Sequence, residues 1–336
     1  FINREISWLK FNQRVLQEAN DSTVPLIERI RFLGIFSNNL DEFYKIRYAT
    51  VKRIAVSFNT GKKIYRDRTA KELLNEITKK AIDLQQKSFK ILAQIIKLLE
   101  NEKIFFINEK SLHKNQIKYA QEYFFEKVSP SLGVIVLNNF RKLPKFKENI
   151  SILLVSMELQ NKTIQNSIIH IPKDLDRFVE LPSKGSNRYI MMVDDLIRYH
   201  LNDIFKIFKP ITIQANMIKI SRDAELDFND DISKSFLDKI AQSVKERSSG
   251  DPVRFVYDSD IRIDSLKFLL NKMQIDDETD SIIPGGKYHN RRDYMKFPSL
   301  NKINLLYKPI KALNIKGFNL GENTFNKLND RDFILH

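Results

Sequence analysis

Residues 1–53, FINREISWLKFNQRVLQEANDSTVPLIERIRFLGIFSNNLDEFYKIRYATVKR, constrain the fold more than any other stretch. Apolar side chains recur there at three- and four-residue spacing, which predicts two helices punctuated by Asn20-Asp21-Ser22 and Pro25. Ser7 is read as the N-cap of the first helix, and Pro25 suits the first turn of the second. One row of the second helix runs Phe32, Phe36, Asn39, Phe43, Ile46, so a carboxamide falls among aromatic rings. Left without partners it would cost about 1 to 3 kcal/mol. Asn39 therefore needs a partner, and three candidates stay open at this point: another helix, water, or a flat heteroaromatic ligand. Asp41 and Lys45, four residues apart, are read as a helix-supporting pair worth a few tenths of a kcal/mol.

After a basic loop carrying Lys62, Lys63, Arg66 and Arg68, the spacing of Leu73, Ile77, Leu84, Leu92, Ile95 and Leu99 predicts a third long helix over 69–100. Three long helices make a helical domain ending near residue 102. Beyond it the pattern changes. Helix is expected over 116–127, 194–208, 231–246 and 263–272. Strands are expected over 134–137, 151–159, 164–171, 189–193, 211–220 and 253–257, with a hairpin around Gln160-Asn161-Lys162. Strands mixed with helices without regular alternation predict an α+β head domain over 103–313 behind the all-helical amino-terminal domain, an α+β multidomain chain.

Fifty-six Lys and Arg against 42 Asp and Glu leave the chain at +14, a balance that favours a polyanionic partner. Basic clusters lie at Lys62 to Arg68, at Arg141, Lys142, Lys145 and Lys147, and at Lys287, Arg291 and Arg292. The absence of cysteine removes disulfides, thiolate metal sites and thiol nucleophiles. No apolar run approaches the ~20 residues of a membrane span, and a cytoplasmic location is expected, with peripheral attachment to a membrane left open. A chain opening on Phe1 is read as part of a longer one. No Walker loop, Gly-x-Gly-x-x-Gly fingerprint or HExxH or EF-hand spacing is present. Gly285-Gly286-Lys287 is read as a turn whose backbone amides are able to meet phosphate.

The opening motifs ISWLxFNxRVLxEA and FxSNNLDEF closely resemble the amino-terminal domain of the histidine-phosphorylating polyphosphate kinases. Arg222-Asp223-Ala224-Glu225, Pro252-Val253-Arg254-Phe255-Val256-Tyr257 and the run from Ser281 to Asn290 are similar to landmarks of their head domain, and 314–336 to the lead-in to the first of two phospholipase-D-like catalytic domains. The resemblance implies ATP (with ADP as its counterpart) and inorganic polyphosphate as substrates, Mg2+ held by residues outside this chain, and a homo-oligomer whose contacts and polyphosphate tunnel involve the head domain. It also implies that Asn39, the second Asn of SNNLDEF, holds adenine. The family nucleophile is a His in a Lys-x-His-small-Lys setting. His113, His170, His200, His289 and His336 all lack that setting, so no catalytic residue and no metal ligand is assigned here, and the chain alone is expected to be inactive. The rival reading is a non-catalytic polyanion-binding or oligomerisation module. No sequence-specific nucleic-acid partner is expected, because RNP aromatics and a recognition helix are missing.

Overall fold

The computed structural model describes residues 3–57, 68–138, 151–183, 185–223, 252–275, 281–310, 323–330 and 332. Its first helix, α1 (Arg4–Asn20), is capped by Asn3, whose Oδ1 accepts from the backbone N–H groups of Glu5 and Ile6 at 2.9 and 3.2 Å. Ser7 therefore lies inside the helix: Asn caps as well as Ser and stands one turn earlier. Pro25 precedes α2 (Leu26–Phe43), which runs through a π-turn (Tyr44–Tyr48) into α3 (Ala49–Ser57). Thr69 and Glu72 form a capping box at the start of α4 (Ala70–Asn101). The helices bury their apolar rows against one another, Leu9, Ile27, Ile30, Leu33, Phe36 and Ile77 among them.

The second half is built on a six-stranded sheet of order β2 (Gly133–Val136), β4 (Ile164–Ile171), β3 (Ser151–Glu158), β7 (Thr212–Arg222), β8 (Pro252–Asp258), β9 (Ser281–Gly285). Its neighbours are antiparallel except β8 and β9. A smaller sheet pairs β1 (Ile104–Ile107) parallel and β5 (Phe178–Leu181) antiparallel with β6 (Arg188–Met192). Strand β3 shows why its sequence reads as a continuous apolar run. Leu153, Val155 and Met157 enter one core, on the side of α5 (Lys114–Tyr123) and α6 (Val193–Tyr199), while Ile152 and Leu154 enter another with Leu266 and Leu269 of α8 (Ile263–Met273). Both faces are covered, so alternation of polar and apolar residues disappears.

The expected α+β architecture is present, with three differences in the elements. The helix expected over 194–208 is divided into α6, a single turn α7 (Leu201–Ile204) and a 3-10 turn (Lys206–Phe208). The helix over 116–127 ends in a π-turn, Phe124–Val128. Strands β1, β5 and β9 were not expected; they are four or five residues long, and β9 contains Pro284 and Gly285, which count against a strand. A last helix, α9, covers Thr324–Asp330. Lys62, Lys63 and Arg66, the cluster from Arg141 to Lys147, the helix expected over 231–246, His336 and most of 314–336 lie outside the described residues.

Helix α2 comes close to the second half at Gly34. A Cβ there would stand 2.3 Å from the backbone nitrogen of Met295 and 2.8 Å from its Cγ, on the 3-10 turn Arg292–Lys296. Nearby, Arg31 donates to the Phe297 carbonyl at 3.0 and 3.3 Å. Because the obstacle is backbone, Gly34→Ala has to push the turn away from α2. We expect it to destabilise the chain by about 1 to 3 kcal/mol despite the better helix propensity of Ala, read as a lowered urea midpoint; an unchanged or raised midpoint would contradict this close approach.

Candidate functional site

Asn39 sits half-buried on α2, one turn beyond buried Phe36 and one turn before buried Phe43. Its partner is another helix. Asn12 of α1 is fully buried and donates through Nδ2 to the Phe36 carbonyl at 3.1 Å. That bond turns the Asn12 Oδ1 toward Asn39, which donates to it through Nδ2 at 3.2 Å. The relay fixes which way the Asn39 amide faces. One N–H is used, while its Oδ1 and second N–H meet no hydrogen-bond partner among the described residues. The free edge thus offers one acceptor beside one donor. Glu42 and Phe43 at the end of α2 and Ile46 of the π-turn line a cavity of about 420 Å3 with Arg4 and Trp8, and the Trp8 ring stacks on Phe43 at 4.9 Å. Asn39 lies one turn away from that cavity rather than in it.

Asp41, two residues on, does not serve Lys45 as its sequence spacing suggested. Its two oxygens accept from Lys219 Nζ of β7 at 2.6 Å and Arg254 Nη2 of β8 at 2.7 Å, and all three side chains are buried or nearly so. Lys219 also donates to Asn290 Oδ1 at 3.1 Å, and Asn290 donates to Ser151 Oγ at 2.8 Å. The Arg254 guanidinium lies 4.3 Å from the centre of the Tyr44 ring. Burial by itself would raise the Asp41 pKa, but the two cations outweigh it and hold the carboxyl below its ordinary range. Two further ties run along the same seam: Arg53 pairs with Asp223, and Lys52 donates to the Pro252 carbonyl at 3.0 Å.

In Gly285-Gly286-Lys287, Gly285 ends β9 and the Lys287 side chain turns to carboxylates. Lys287 is committed to Glu109 at 2.6 Å and Asp195 at 2.9 Å. Arg291 of the same expected basic cluster is buried, donates to Ser88 Oγ at 2.8 Å and covers the Phe89 ring at 4.0 Å. Only Arg292 of the three is without an ion pair or hydrogen bond among the described residues. The described histidines are held by the fold. His200 bonds Asp203 at 2.7 Å and stacks on Phe124; His113 precedes α5 and meets Tyr189 edge-on; His170 lies in β4. His289 is fully enclosed with Nδ1 3.0 Å from the Gly286 carbonyl. Burial, with Lys219 beside it, pushes its pKa down to about 3.

Two family models match in tandem: the polyphosphate kinase N-terminal domain over residues 1–107 and the polyphosphate kinase middle domain over residues 115–297. The chain belongs to the polyphosphate kinase family. Among curated proteins it is 39% identical over 342 residues to the polyphosphate kinase of Vibrio cholerae and 37% identical over 344 residues to that of Escherichia coli K12. These alignments cover all of this chain but 48% and 49% of those proteins, so the chain spans about half the length of the curated relatives it matches. The crystal structure of the polyphosphate kinase from Porphyromonas gingivalis superposes with a TM-score of 0.75 at 26% identity, over 99% of this chain and 46% of that one. The structure puts most of the motifs that carried the sequence resemblance at the seam just described.

A neutral, buried His289 has a consequence for acid stability. Its folded pKa lies below the unfolded value of 6.5, so the unfolded chain binds the extra proton, and the stability it contributes is complete above pH 6.5 and is lost as pH falls toward 3. Asp41 acts in the same direction only below its ordinary 3.8. Between pH 6.5 and 4, His289→Asn should therefore lose stability less steeply than the parent, by up to about 1.4 kcal/mol per pH unit. Urea midpoints measured at pH 6.5, 5.5 and 4.5 check this, and parallel slopes would contradict a neutral buried imidazole.

Proposed function

We propose that this chain is the nucleotide-holding amino-terminal part of an enzyme that reversibly transfers the terminal phosphate of ATP to inorganic polyphosphate through a phosphohistidine lying outside these residues. The observation that supports it most is the tandem match to the amino-terminal and middle domains of polyphosphate kinases along nearly the whole chain. On this reading residues 1–102 form one wall of the adenine site and 103–313 carry contacts of a homo-oligomer and part of the polyphosphate path, with 314–336 leading into the catalytic half. The enzyme works in the cytoplasm; among the described residues no helix is long and apolar enough to cross a membrane.

Asn39 is the adenine contact. Its free edge presents an acceptor beside a donor, the complement of the adenine N6 amino group and an adjacent ring nitrogen, and it is the amide geometry by which Asn reads adenine elsewhere. Asn12 positions that edge. At a half-buried edge an unmatched partner is costly. Mg2+ would neutralise charge on the transferring phosphate. On this reading the Mg2+ ligands lie outside this chain, which contributes adenine binding.

The test is made in the whole parent enzyme, by ATP-dependent polyphosphate synthesis. Asn39→Ala should raise KM for ATP roughly tenfold to a hundredfold with a smaller change in kcat. Inosine triphosphate, which replaces the N6 donor with a carbonyl, should lose its disadvantage relative to ATP in that variant. An unchanged KM and an unchanged ATP preference would contradict the adenine role of Asn39, and polyphosphate synthesis by the 336-residue chain alone would contradict a nucleophile outside it.

A further inference from the structure

The direction of the Asn39 amide is set by a backbone atom. A carbonyl oxygen only accepts, so the atom that Asn12 turns to the Phe36 carbonyl, 3.1 Å away, has to be Nδ2. Its Oδ1 is left for Asn39, and the group that meets it at 3.2 Å has to donate. Turning the Asn39 amide over would replace that hydrogen bond by two carbonyl oxygens facing each other, one of them on a fully buried side chain. Without Asn12 the amide is free to turn. The last torsion of an Asn side chain is broad and two-fold, and among the described residues the Asn39 side chain makes no other hydrogen bond. Packing does not ask for an amide in place of an aliphatic side chain at Asn12. It stands in a buried row of α1 with Leu9 and Leu16, and the Phe36 carbonyl lies within α2, where the helix already supplies it with an N–H.

The two settings of the amide match different purines. As held, Asn39 offers Oδ1 to a base amino group and its second N–H to a neighbouring ring nitrogen, the pattern of adenine. Hypoxanthine and guanine carry a carbonyl where adenine carries that amino group and an N–H beside it, the same pair with donor and acceptor exchanged. An amide turned over would match them. We propose that Asn12 makes the site select adenine over these purines by holding the Asn39 amide in one of its two settings, although Asn12 is fully buried and touches no nucleotide itself. Asn12 is thus a positioning residue, and it acts only if Asn39 is the adenine contact proposed above. The two asparagines fail in different ways. Losing Asn39 removes the contact and lowers use of ATP, whereas losing Asn12 keeps the contact, lets it turn and raises use of inosine triphosphate.

The test compares kcat/KM for ATP and for inosine triphosphate in polyphosphate synthesis by the whole parent enzyme. Their ratio does not depend on how much of a variant is folded, so lost stability alone leaves it unmoved. Asn12→Ala should lower the ratio about tenfold, chiefly through a gain with inosine triphosphate, while ATP falls no more than about threefold. Asn12→Ser, whose hydroxyl both donates and accepts, should relax the ratio in the same way and carries the comparison should Asn12→Ala be inactive. Asn12→Asp keeps an oxygen facing Asn39 in either protonation state and should retain the parent ratio. An unchanged ratio in Asn12→Ala and Asn12→Ser, with Asn39→Ala levelling it, would overturn the proposal and leave Asn39 as the adenine contact. A ratio that falls as far in Asn12→Asp as in Asn12→Ala would also overturn it, since loss of packing and not of direction would then be the cause. A ratio that Asn39→Ala itself does not move would remove the adenine contact, and the selectivity assigned to Asn12 with it.

Discussion

The buried carboxylate of Asp41 is the central tie between the helical half of the chain and the sheet. Its partners stand 178 and 213 residues away on neighbouring strands. A carboxylate removed from water costs several kcal/mol, and the cost is offset only when good geometry and further hydrogen bonds accompany the pairing. Here both oxygens are taken, Lys219 is also held by Asn290, and Arg254 lies over Tyr44. The arrangement sets the rotation of α2. Successive helical residues turn by about 100°, so Asn39, two positions before Asp41, faces about 200° away. Residues 39–41 thus lock α2 onto the sheet with one side chain and offer an amide edge with another.

Seen this way, the sequence landmarks divide by what they touch. Asp223 of the Arg222-Asp223 motif pairs with Arg53, Arg254 of the strand β8 motif pairs with Asp41, and Asn290 at the end of the 281–290 run supports Lys219. Three separated motifs of the second half converge on the helices of the first. Gly34 belongs to the same surface, since only the absence of a Cβ lets the turn around Met295 approach α2. The helices of the first half and the sheet of the second are held as a pair through these contacts, and a cationic cavity beside Lys219 is a product of that pairing.

Much of the architecture could be read from the residues because it is local. Periodicity marks α2 and α4, the Thr69–Glu72 box marks a helix start, and Asn161 marks the hairpin, where it bonds Thr163. Elements too short to show a period, such as β1 and β5, could not be read, nor could the break at His200 in a segment whose composition is helical throughout. The oddity of Asn39 was legible, and so was the need for a partner. Asn12 carried the same signal unread: it sits between Leu9 and Leu16 in a buried row of α1 as Asn39 sits between Phe36 and Phe43. The partners of Asp41 were not legible, because a neighbour four residues away competes on paper with cations that only tertiary folding brings near. Lys287 and Arg291 misled for the related reason that charge alone does not distinguish a solvated cation from one turned inward.

The tie at Asp41 is tested most directly by a double-mutant cycle of Asp41→Asn with Arg254→Met, scored by urea unfolding. Each single change strands a buried charge or removes one of its partners and should cost about 3 to 5 kcal/mol, while the double variant should cost clearly less than the sum, a coupling of about 1 to 3 kcal/mol. Single changes that each cost well under 1 kcal/mol and simply add would contradict a buried carboxylate as the joint between the helices and the sheet.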